Sequence, residues 1–565
     1  MKHSIISLML FLATTISAKT IVVKYTTEDA TQRIQQAIDE ARKHNGKPIT
    51  IRFESGNYHI SRANASKHLY FVSNTASESE NPDQTKHIGL WIKDAKNLTI
   101  DGNGAFLITH GEMTPFAIDK SENITIKNIS IKASDPTVPE MTVIERGDKY
   151  IVAKAHPLSN YTITDGRFAW VGKSWTLTGG IAQLYDPITT LNIRHTSPLS
   201  NLEKAIELEP GLIRFNYKDK APTCKPGQVF QMRDGIRDEV AGLINLSKNV
   251  RLENIGFHFM GNFGIVSQVS ENLTYERLLC EPEYGKGRTD VGFADFLQFS
   301  GCKGKIKVTN SRFIGAHDDP INIHGTHLRV VEYPAPNQIK IRFMHPQTYG
   351  LEQFFAGDNI DIVDANSLLC LQQAKIKKVD RINDRDILVT LNSNIPNEIK
   401  TKPDVVVENT TWTPEVEIKN NFFASIPTRG ILVTTRRKIV IENNIFLRMP
   451  MSAILIANEG RSWFESGPVA DVTIRNNQFI ECGSPVICIA PENGKYEGAI
   501  HKNISICDNR FDLLNADAIF AKATNGLIVK DNFFITNSST NEISQLIRTE
   551  QCENVTVKDN RIDAL

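Results

Sequence analysis

A short pattern recurs along this chain: alternating apolar residues, then polar residues that include Asn, then a large apolar residue. Clear copies are V-E-I-K-N-N-F-F from Val416, V-T-I-R-N-N-Q-F from Val472 and V-T-V-K-D-N-R-I from Val555. Where no long insertion intervenes, successive copies are spaced by about 23 to 33 residues, an interval typical of a solenoid. Period-two alternation followed by an Asn-containing turn predicts strands and turns, not helices.

Two sets of apolar residues are expected to stack along the core of this solenoid. The closing apolar residues of the copies are Phe257, Phe313, Phe423, Phe446, Phe479, Phe511, Phe534 and Ile562. Further along each of six copies comes an isoleucine: Ile265, Ile321, Ile431, Ile454, Ile487 and Ile519. The sequence therefore predicts an all-β protein built on a right-handed parallel β-helix, in which turn asparagines hydrogen-bond from rung to rung.

The first part of the mature chain is predicted to cap this β-helix. Apolar residues spaced for one helical face are Ala30, Ile34, Ala37, Ile38 and Ala41. Acidic Glu28 and Asp29 near the start suit the positive end of a helix. An amphipathic helix here would cover the open end of the stack, as terminal repeats must.

Two long gaps interrupt the repeat. Both contain short alternating strands with Gly, Pro and Asp turns but lack the Asn-ended copy. Each gap is predicted to be a small β-barrel or sandwich inserted into the solenoid. The predicted division is a signal peptide at 1–18, cap and first rungs at 19–134, an insert at 135–240, rungs at 241–326, a second insert at 327–412 and C-terminal rungs at 413–565.

The N-terminus and the composition bear on location and partners. Lys2 and His3, an apolar run from Ile5 to Leu12 and Ser17-Ala18 follow the order of a secretory signal peptide, so a periplasmic or secreted protein is expected. The run is too short for a membrane span. Basic and acidic residues number 64 each, which argues against a nucleic-acid partner. The eight Cys lack C-x-x-C spacing, and most are expected to be buried small hydrophobes.

Three carboxylates stand out against the repeat. They occur in F-A-D-F-L-Q-F at 293–299 and G-A-H-D-D-P-I-N-I-H-G at 315–325, as Asp295, Asp318 and Asp319. Aligning the copies puts Asp295 one rung before Asp319. The aligned residues of the other rungs are Phe263, Arg429, Ser452, Pro485 and Asp517.

Paired carboxylates are what hydrolysis of a glycosidic bond requires, since one protonates the leaving oxygen and another activates water. Neighbouring strands lie about 4.8 Å apart, so offset carboxylates on adjacent rungs can be roughly 6–9 Å apart, which suits an inverting glycosidase. Consecutive Asp318 and Asp319 would face opposite ways in a regular strand. A bend before Pro320 is therefore predicted to turn both toward one cleft.

Other polar and aromatic groups near these rungs are candidate sugar-binding residues. They are Gln298, Asn322, His317, His324, Arg429, Trp463 and Glu459. Arg429 could instead hold a carboxylate ionised. His317, His324 and His327 on one loop more often bond locally than ligate a metal, and neither a metal nor another cofactor is expected.

The arrangement A-D-F followed by H-D-D-P, between two inserts in a β-helix, resembles glycoside hydrolase family 110, the bacterial exo-α-1,3-galactosidases. The resemblance covers nearly the whole mature chain. It implies an inverting enzyme that releases terminal α-1,3-linked galactose from glycans such as blood group B and linear α-galactosyl epitopes. It also implies that Asp318 is the general acid, and that Asp295 and Asp319 share activation of the water.

Three alternatives remain open on the sequence. A polygalacturonase-like hydrolase also places one Asp a rung before an Asp-Asp pair, but I-H-G-T-H at 323–327 only partly matches its G-H-G element. A non-catalytic β-helix adhesin or carbohydrate-binding module would not need converging acids. A polysaccharide lyase would need a Lys or Arg base, commonly with calcium, and no matching cluster occurs.

Overall fold

The computed structural model describes residues 19–44, 46–514, 517–537 and 542–564. The predicted signal peptide at 1–18 lies outside the described residues. The described chain is a parallel β-helix with two antiparallel inserts, which confirms the predicted fold class.

One long parallel sheet is built from the strands of the repeated pattern. Each rung contributes one long strand or two short ones that meet at the Asn turn. The strands are Lys19–Val23, Ile49–Phe53, Asn57–Ser61, Lys96–His110, Glu122–Ala133, Lys248–Phe259, Glu271–Cys280, Lys303–Thr309, Arg312–Ile314, Glu415–Lys419, Phe422–Ala424, Lys438–Glu442, Ile445–Leu447, Asp471–Arg475, Gln478–Ile480, His501–Cys507, Arg510–Leu513, Thr524–Lys530, Phe533–Thr536, Glu553–Lys558 and Arg561–Ala564.

A second sheet carries the isoleucine stack and closes the other side of the core. Apart from the antiparallel partners Ser66–Leu69 and Glu465–Ser466, its strands run parallel to one another. Its strands are Ser66–Leu69, Thr85–Lys93, Thr114–Asp119, Val240–Asn245, Phe263–Gln268, Leu297–Ser300, Ile321–Thr326, Ile431–Val433, Ile454–Ile456, Glu465–Ser466, Ile487–Ile489, Ile519–Lys522 and Ile547–Glu550.

The predicted apolar stacks form the core between these sheets. The rings of Phe423 and Phe446 stack with centroids 4.7 Å apart, and Phe446 and Phe479 are 5.1 Å apart. Ile431 and Ile454 pair across neighbouring strands, and Ile454 in turn pairs with Ile487. Equivalent side chains therefore lie directly above one another, so the register of the rungs is fixed by like residues packing on like.

The turn asparagines form a buried ladder, as the sequence predicts. Asn444 donates through Nδ2 to Oδ1 of Asn477 at 3.0 Å, and Asn477 donates in the same way to Asn509 at 3.0 Å. Each amide also donates to a backbone carbonyl of the preceding rung: Asn444 donates to Ile418, and Asn477 donates to Ile441. The ladder pairs the polar groups that a sharp turn would otherwise bury unpaired.

The predicted capping helix is Thr31–Arg42. Its buried residues include Ile34, Ala37, Ile38 and Ala41, as expected, and Asp29 accepts from the backbone N of Thr31 at 2.8 Å. Other short helical turns are Arg62–Asn64, Asn397–Lys400 and Ile543–Leu546. Among the described residues, no helix is long and apolar enough to cross a membrane.

The first insert, called insert I, comprises two antiparallel sheets with a shared apolar core that contains Trp170 and Phe215. The larger sheet contains Glu140–Arg146, Tyr150–Ala155, Ile181–Tyr185, Asn192–His195, Leu202–Glu209, Leu212–Tyr217 and Val229–Arg233. The smaller contains Tyr161–Thr164, Arg167–Val171 and Thr176–Leu177.

The second insert, called insert II, is a closed antiparallel barrel. Its strands are Leu328–Ala335, Gln338–Arg342, Asn359–Asp364, Cys370–Arg381, Asp386–Leu391 and Val405–Asn409. All eight Cys are described and free, and those that are buried are Cys224, Cys280, Cys302, Cys482 and Cys507.

Candidate active site

Strand pairing places Asp295 and Asp319 on neighbouring rungs. Leu297 pairs with Ile321, and each Asp precedes its paired residue by two positions. Ile321 pairs in turn with Ile431, which puts Arg429 on the following rung. This is the alignment that the repeat predicts.

A bend brings the consecutive carboxylates to one side. Residues 317, 318 and 320 are bends, and the regular strand begins only at Ile321. Asp295, Asp318 and Asp319 all line one cavity of about 110 Å³ on the outer face of the second sheet. The predicted bend before Pro320 therefore resolves how Asp318 and Asp319 reach the same space.

Asp318 is held by two arginines, one from insert I and one from its exit segment. Nη2 of Arg194 is 3.3 Å from Oδ1, and Nη2 of Arg237 is 3.5 Å from Oδ2. The Arg194 side chain is 57% exposed and the Arg237 side chain only 11%. Arg237 is therefore a fixed wall of the cavity, whereas Arg194 reaches it from the surface.

Asp319 is almost fully buried, and Arg429 contacts both oxygens of its carboxylate. Nε of Arg429 is 3.0 Å from Oδ1, its Nη2 is 2.8 Å from Oδ2, and its backbone N donates to Oδ1 at 3.1 Å. A two-point guanidinium contact fixes a carboxylate in one orientation. Burial and the charge of Asp318 raise the pKa of Asp319, and Arg429 opposes that rise.

Asp295 is also buried, at 6% exposed, and Asp319 is slightly more so, at 2%. Burial, followed by the negative charge of Asp318, raises the pKa of Asp295 well above the ordinary value, and Arg237 opposes the rise. Burial disfavours the charged form of a carboxyl group. Burial therefore favours the protonated form of Asp295.

The rest of the cavity is acidic and carries one exposed aromatic ring. Glu459, Glu465 and Glu492 line it with the three aspartates. Trp463, also in the lining, is 43% exposed and stacks on His345 of insert II with ring centroids 4.3 Å apart. An exposed aromatic face beside hydrogen-bonding groups suits the apolar face of a sugar ring.

The predicted sugar-binding residues divide into two groups. Asn322, Arg429, Trp463 and Glu459 line the cavity. Nδ2 of Asn322 donates to Glu465 at 3.3 Å, and its Oδ1 is buried without a partner in the described structure. Glu459 is engaged structurally, since its carboxylate accepts from the backbone N of Arg461, Ser462 and Glu465.

Gln298, His317 and His324 lie outside the cavity lining. Nε2 of Gln298 contacts Nε2 of His324 at 2.6 Å, and Nδ1 of His324 contacts the carbonyl of Gly325 at 2.7 Å. Since Nδ1 must donate to that carbonyl, Nε2 of a neutral His324 accepts from the Gln298 amide. His317 is fully buried toward insert I, and burial lowers its pKa well below the ordinary value.

Several polar residues of the cavity lining were not identified from the sequence: Asn74, Arg237, Glu465 and Glu492. Arg194, which contacts Asp318 from outside the lining, was not identified either. Glu465 accepts from Asn74 at 3.4 Å and from Asn322 at 3.3 Å, so it joins a loop of the cap region to the strand after the Asp pair. These residues lie outside the repeated pattern, and its register gives no signal for them. Among the described residues, no grouping of three or more His, Cys, Asp or Glu side chains is suited to hold a metal ion.

Carboxylates from adjacent rungs of a parallel β-helix, gathered in one small cavity, define a glycoside hydrolase site. Comparison with known proteins identifies the family. "GLAA-B beta-barrel domain I" matches residues 139–230, "GLAA-B beta-barrel domain II" matches 338–406, and "Right handed beta helix region" matches 404–565. The chain is 47% identical to alpha-1,3-galactosidase A of Bacteroides thetaiotaomicron, over 94% of each chain.

Two further relatives agree. Alpha-1,3-galactosidase A of Bacteroides fragilis is 38% identical, over 91% of this chain and 86% of that protein. Alpha-1,3-galactosidase B of Bacteroides thetaiotaomicron is 32% identical, over 94% of this chain and 88% of that protein. The chain therefore belongs to the alpha-1,3-galactosidase family, glycoside hydrolase family 110.

Proposed function

We propose that the protein is an exo-acting, inverting α-galactosidase that removes terminal α-1,3-linked galactose from blood group B and related linear glycans. The observation that carries this proposal is the meeting of Asp295, Asp318 and Asp319 in one small cavity. Relatives that match almost the whole chain are alpha-1,3-galactosidases, which supports the sugar and the linkage.

The proposed mechanism divides two tasks among the three carboxyl groups. Asp318 donates a proton to the glycosidic oxygen, so the bond between that oxygen and the anomeric carbon breaks as the leaving sugar departs. Asp295 and Asp319 share activation of the water, which releases one proton to this pair as its oxygen attacks the anomeric carbon from the opposite face. Arg429 orients the Asp319 carboxylate for this task.

Asp295 is the second candidate for the acid. It is deeply buried with a raised pKa, whereas Asp318 contacts Arg194 and Arg237. A general acid must hold its proton near the working pH. Exchanging the roles of Asp295 and Asp318 leaves the reaction and its stereochemistry unchanged.

The charge of the cavity favours a neutral sugar. Six carboxylic side chains line it (Asp295, Asp318, Asp319, Glu459, Glu465 and Glu492), together with Arg237 and Arg429. A galacturonic acid unit would bring another carboxylate into this acidic space, at a cost in repulsion. This argues against the polygalacturonase-like alternative, and the converging acids argue against a non-catalytic adhesin.

We also propose that the protein is exported. The support is the order of charged, apolar and small residues at 1–18. N-terminal sequencing of the protein recovered from the periplasm or medium of an expressing bacterium tests this. A chain that stays in the cytoplasm with residues 1–18 intact would overturn it.

The central experiment follows hydrolysis of Gal-α-1,3-Gal by NMR, beside the fucose-branched blood group B trisaccharide and an α-1,4-linked digalactoside. The expected result is release of galactose from the α-1,3 substrates, with the β-anomer appearing first. Initial α-galactose would overturn inversion. Equal cleavage of the α-1,4 control would overturn the linkage, and no release from any galactoside would overturn the activity.

A further inference from the structure

A fully buried polar network joins insert I to the bend that carries Asp318. Nε2 of His317 is 3.0 Å from Oε1 of Gln231, and the carbonyl of His317 accepts from Nε2 of Gln183 at 3.0 Å. Gln183 and Gln231 face each other on adjacent strands of insert I. All three side chains are completely buried. His317, which precedes Asp318 in the chain, is therefore bonded to insert I through both its backbone carbonyl and its imidazole ring.

The network continues into the insert through Gln231. Oε1 of Gln231 also accepts from Nδ2 of Asn192 at 3.1 Å, and its Nε2 donates to Oγ1 of Thr289 at 2.7 Å. Thr289 and Glu140 complete it, since the backbone N of Thr289 donates to Oε1 of Glu140 at 3.0 Å. With the Gln231 amide fixed in this direction, neutral His317 carries its proton on Nε2.

The same strand of insert I that carries Asn192 also carries Arg194, which contacts Asp318. Asn192 therefore reaches His317 through Gln231, while Arg194 reaches the neighbouring carboxylate directly. Three buried atoms of this network have no partner among the described residues: Oε1 of Gln183, Oδ1 of Asn192 and Nδ1 of His317. The hydrogen bonds that are made still hold His317 at two points, its carbonyl and its Nε2, because releasing either would leave further buried polar atoms unpaired. A catalytic carboxyl group needs that fixity, since small misplacements cost rate steeply.

We propose that Gln231 and Gln183 are positioning residues for the reaction, and that insert I is thereby an integral part of the catalytic apparatus. They act through His317 on the placement of Asp318 and do not touch the sugar. The expected loss of rate rests on the proposed function, whereas the expected loosening of the bend does not. Removing either amide loosens the bend at 317–320 without emptying the cavity of any of its charged groups.

The test uses Gln231→Met and Gln183→Met, which keep the length of the side chain and remove the amide. The matched control is Gln228→Met, in the same insert, whose amide bonds Asp186 at 3.2 Å and the backbone N of Lys225 at 2.8 Å. On Gal-α-1,3-Gal, kcat is expected to fall about tenfold or more in both test variants with KM little changed. The control should keep wild-type kcat.

A second kinetic readout separates misplacement of the acid from general damage. With 4-nitrophenyl α-galactoside the leaving group needs little protonation, so the loss of kcat in both test variants should be much smaller than with the disaccharide. Equal losses on both substrates, or unchanged kcat in folded test variants, would overturn the proposal.

Hydrogen–deuterium exchange gives a readout that does not depend on activity. The peptide covering 315–320 should exchange faster in Gln231→Met and Gln183→Met than in wild type, and at the wild-type rate in Gln228→Met. If wild-type protein proves inactive on every galactoside, the proposed function fails while this arm still tests the positioning. Unchanged exchange in both test variants would overturn it.

Discussion

Arg429 clasps Asp319 across the gap between two rungs, with Nη2 2.8 Å from Oδ2 and Nε 3.0 Å from Oδ1. The carboxylate is buried, with only 3% of the Asp319 side chain exposed. A carboxylate so confined would be costly to ionise without the guanidinium. The rung after the Asp pair thus supplies the cation that makes an enclosed base workable.

Replacing Arg429 should shift the pH dependence in a defined direction. In Arg429→Ala, the main group that opposes burial and the charge of Asp318 is gone, so the pKa of Asp319 rises further and the acid limb of kcat/KM moves to higher pH. Arg429→Lys keeps the charge but loses the two-point contact, so a smaller shift and a loss of rate of about 10²-fold are expected. An unmoved acid limb in the Ala variant would show that Asp319 is not the base.

Asp318→Asn should abolish turnover of the disaccharide while leaving the fold and sugar binding largely intact. A loss on the order of 10²–10⁴-fold is expected for removal of a general acid. The loss on 4-nitrophenyl α-galactoside should be far smaller. Asp295→Asn, assayed in parallel, discriminates the two candidates: whichever variant is selectively restored by the better leaving group has lost the acid. Near-normal disaccharide hydrolysis by Asp318→Asn would show that Asp318 is not the general acid. The matched control is Asp517→Asn, on a distant rung.

The solenoid and the three acids could be predicted because both depend on register within a repeat. Phe446 stacks between Phe423 and Phe479 because equivalent positions of a parallel β-helix lie above one another. The same register fixes Asp295 beside Asp319. Knowing that order needs only the spacing of apolar residues along the chain.

The register of the rungs predicts which face of the sheet a side chain points to, but not which other segments of the chain cover that face. Gln298 and Asn322 are direct partners on adjacent strands, yet Asn322 lines the cavity and Gln298 bonds to His324 behind it. Arg194 of insert I reaches Asp318 only because the insert packs against this part of the β-helix. Glu465 reaches the cavity because the short strand Glu465–Ser466 pairs antiparallel with Gly325–Thr326. Those contacts depend on docking between remote segments, which no local spacing encodes.

The asparagine ladder should contribute measurably to stability. In Asn477→Ala, the Nδ2 of Asn444, the carbonyl of Ile441 and the Oδ1 of Asn509 each lose a buried partner. Such losses cost about 1–3 kcal/mol per group, so a clear fall in the thermal midpoint is expected. Exposed Asn397→Ala is the control, with a change within about 0.5 kcal/mol. A midpoint for Asn477→Ala equal to that of the control would mean that the ladder adds nothing to stability.

Asp295→Asn should stabilise the protein increasingly as the pH rises. Because burial raises the pKa of Asp295, the folded chain keeps its proton where the unfolded chain, with a pKa of about 3.9, has lost it. Stability therefore falls with rising pH from about 3.9 up to the folded pKa, and Asn escapes this loss. The difference in thermal midpoint between variant and wild type should grow as the pH rises above about 4, toward the folded pKa.

Asp386→Asn in insert II gives the opposite sign in the same experiment. Arg342 lowers the pKa of Asp386 through contacts of 2.6 and 2.9 Å, so the wild-type carboxylate stabilises the fold above the unfolded pKa and loses that contribution as the pH falls through the folded one. Asp386→Asn should therefore become the less stable protein as the pH rises through about 3.9. If Asp295→Asn followed the trend of Asp386→Asn, Asp295 would be ionised in the folded protein at neutral pH, and its candidacy as the acid would end.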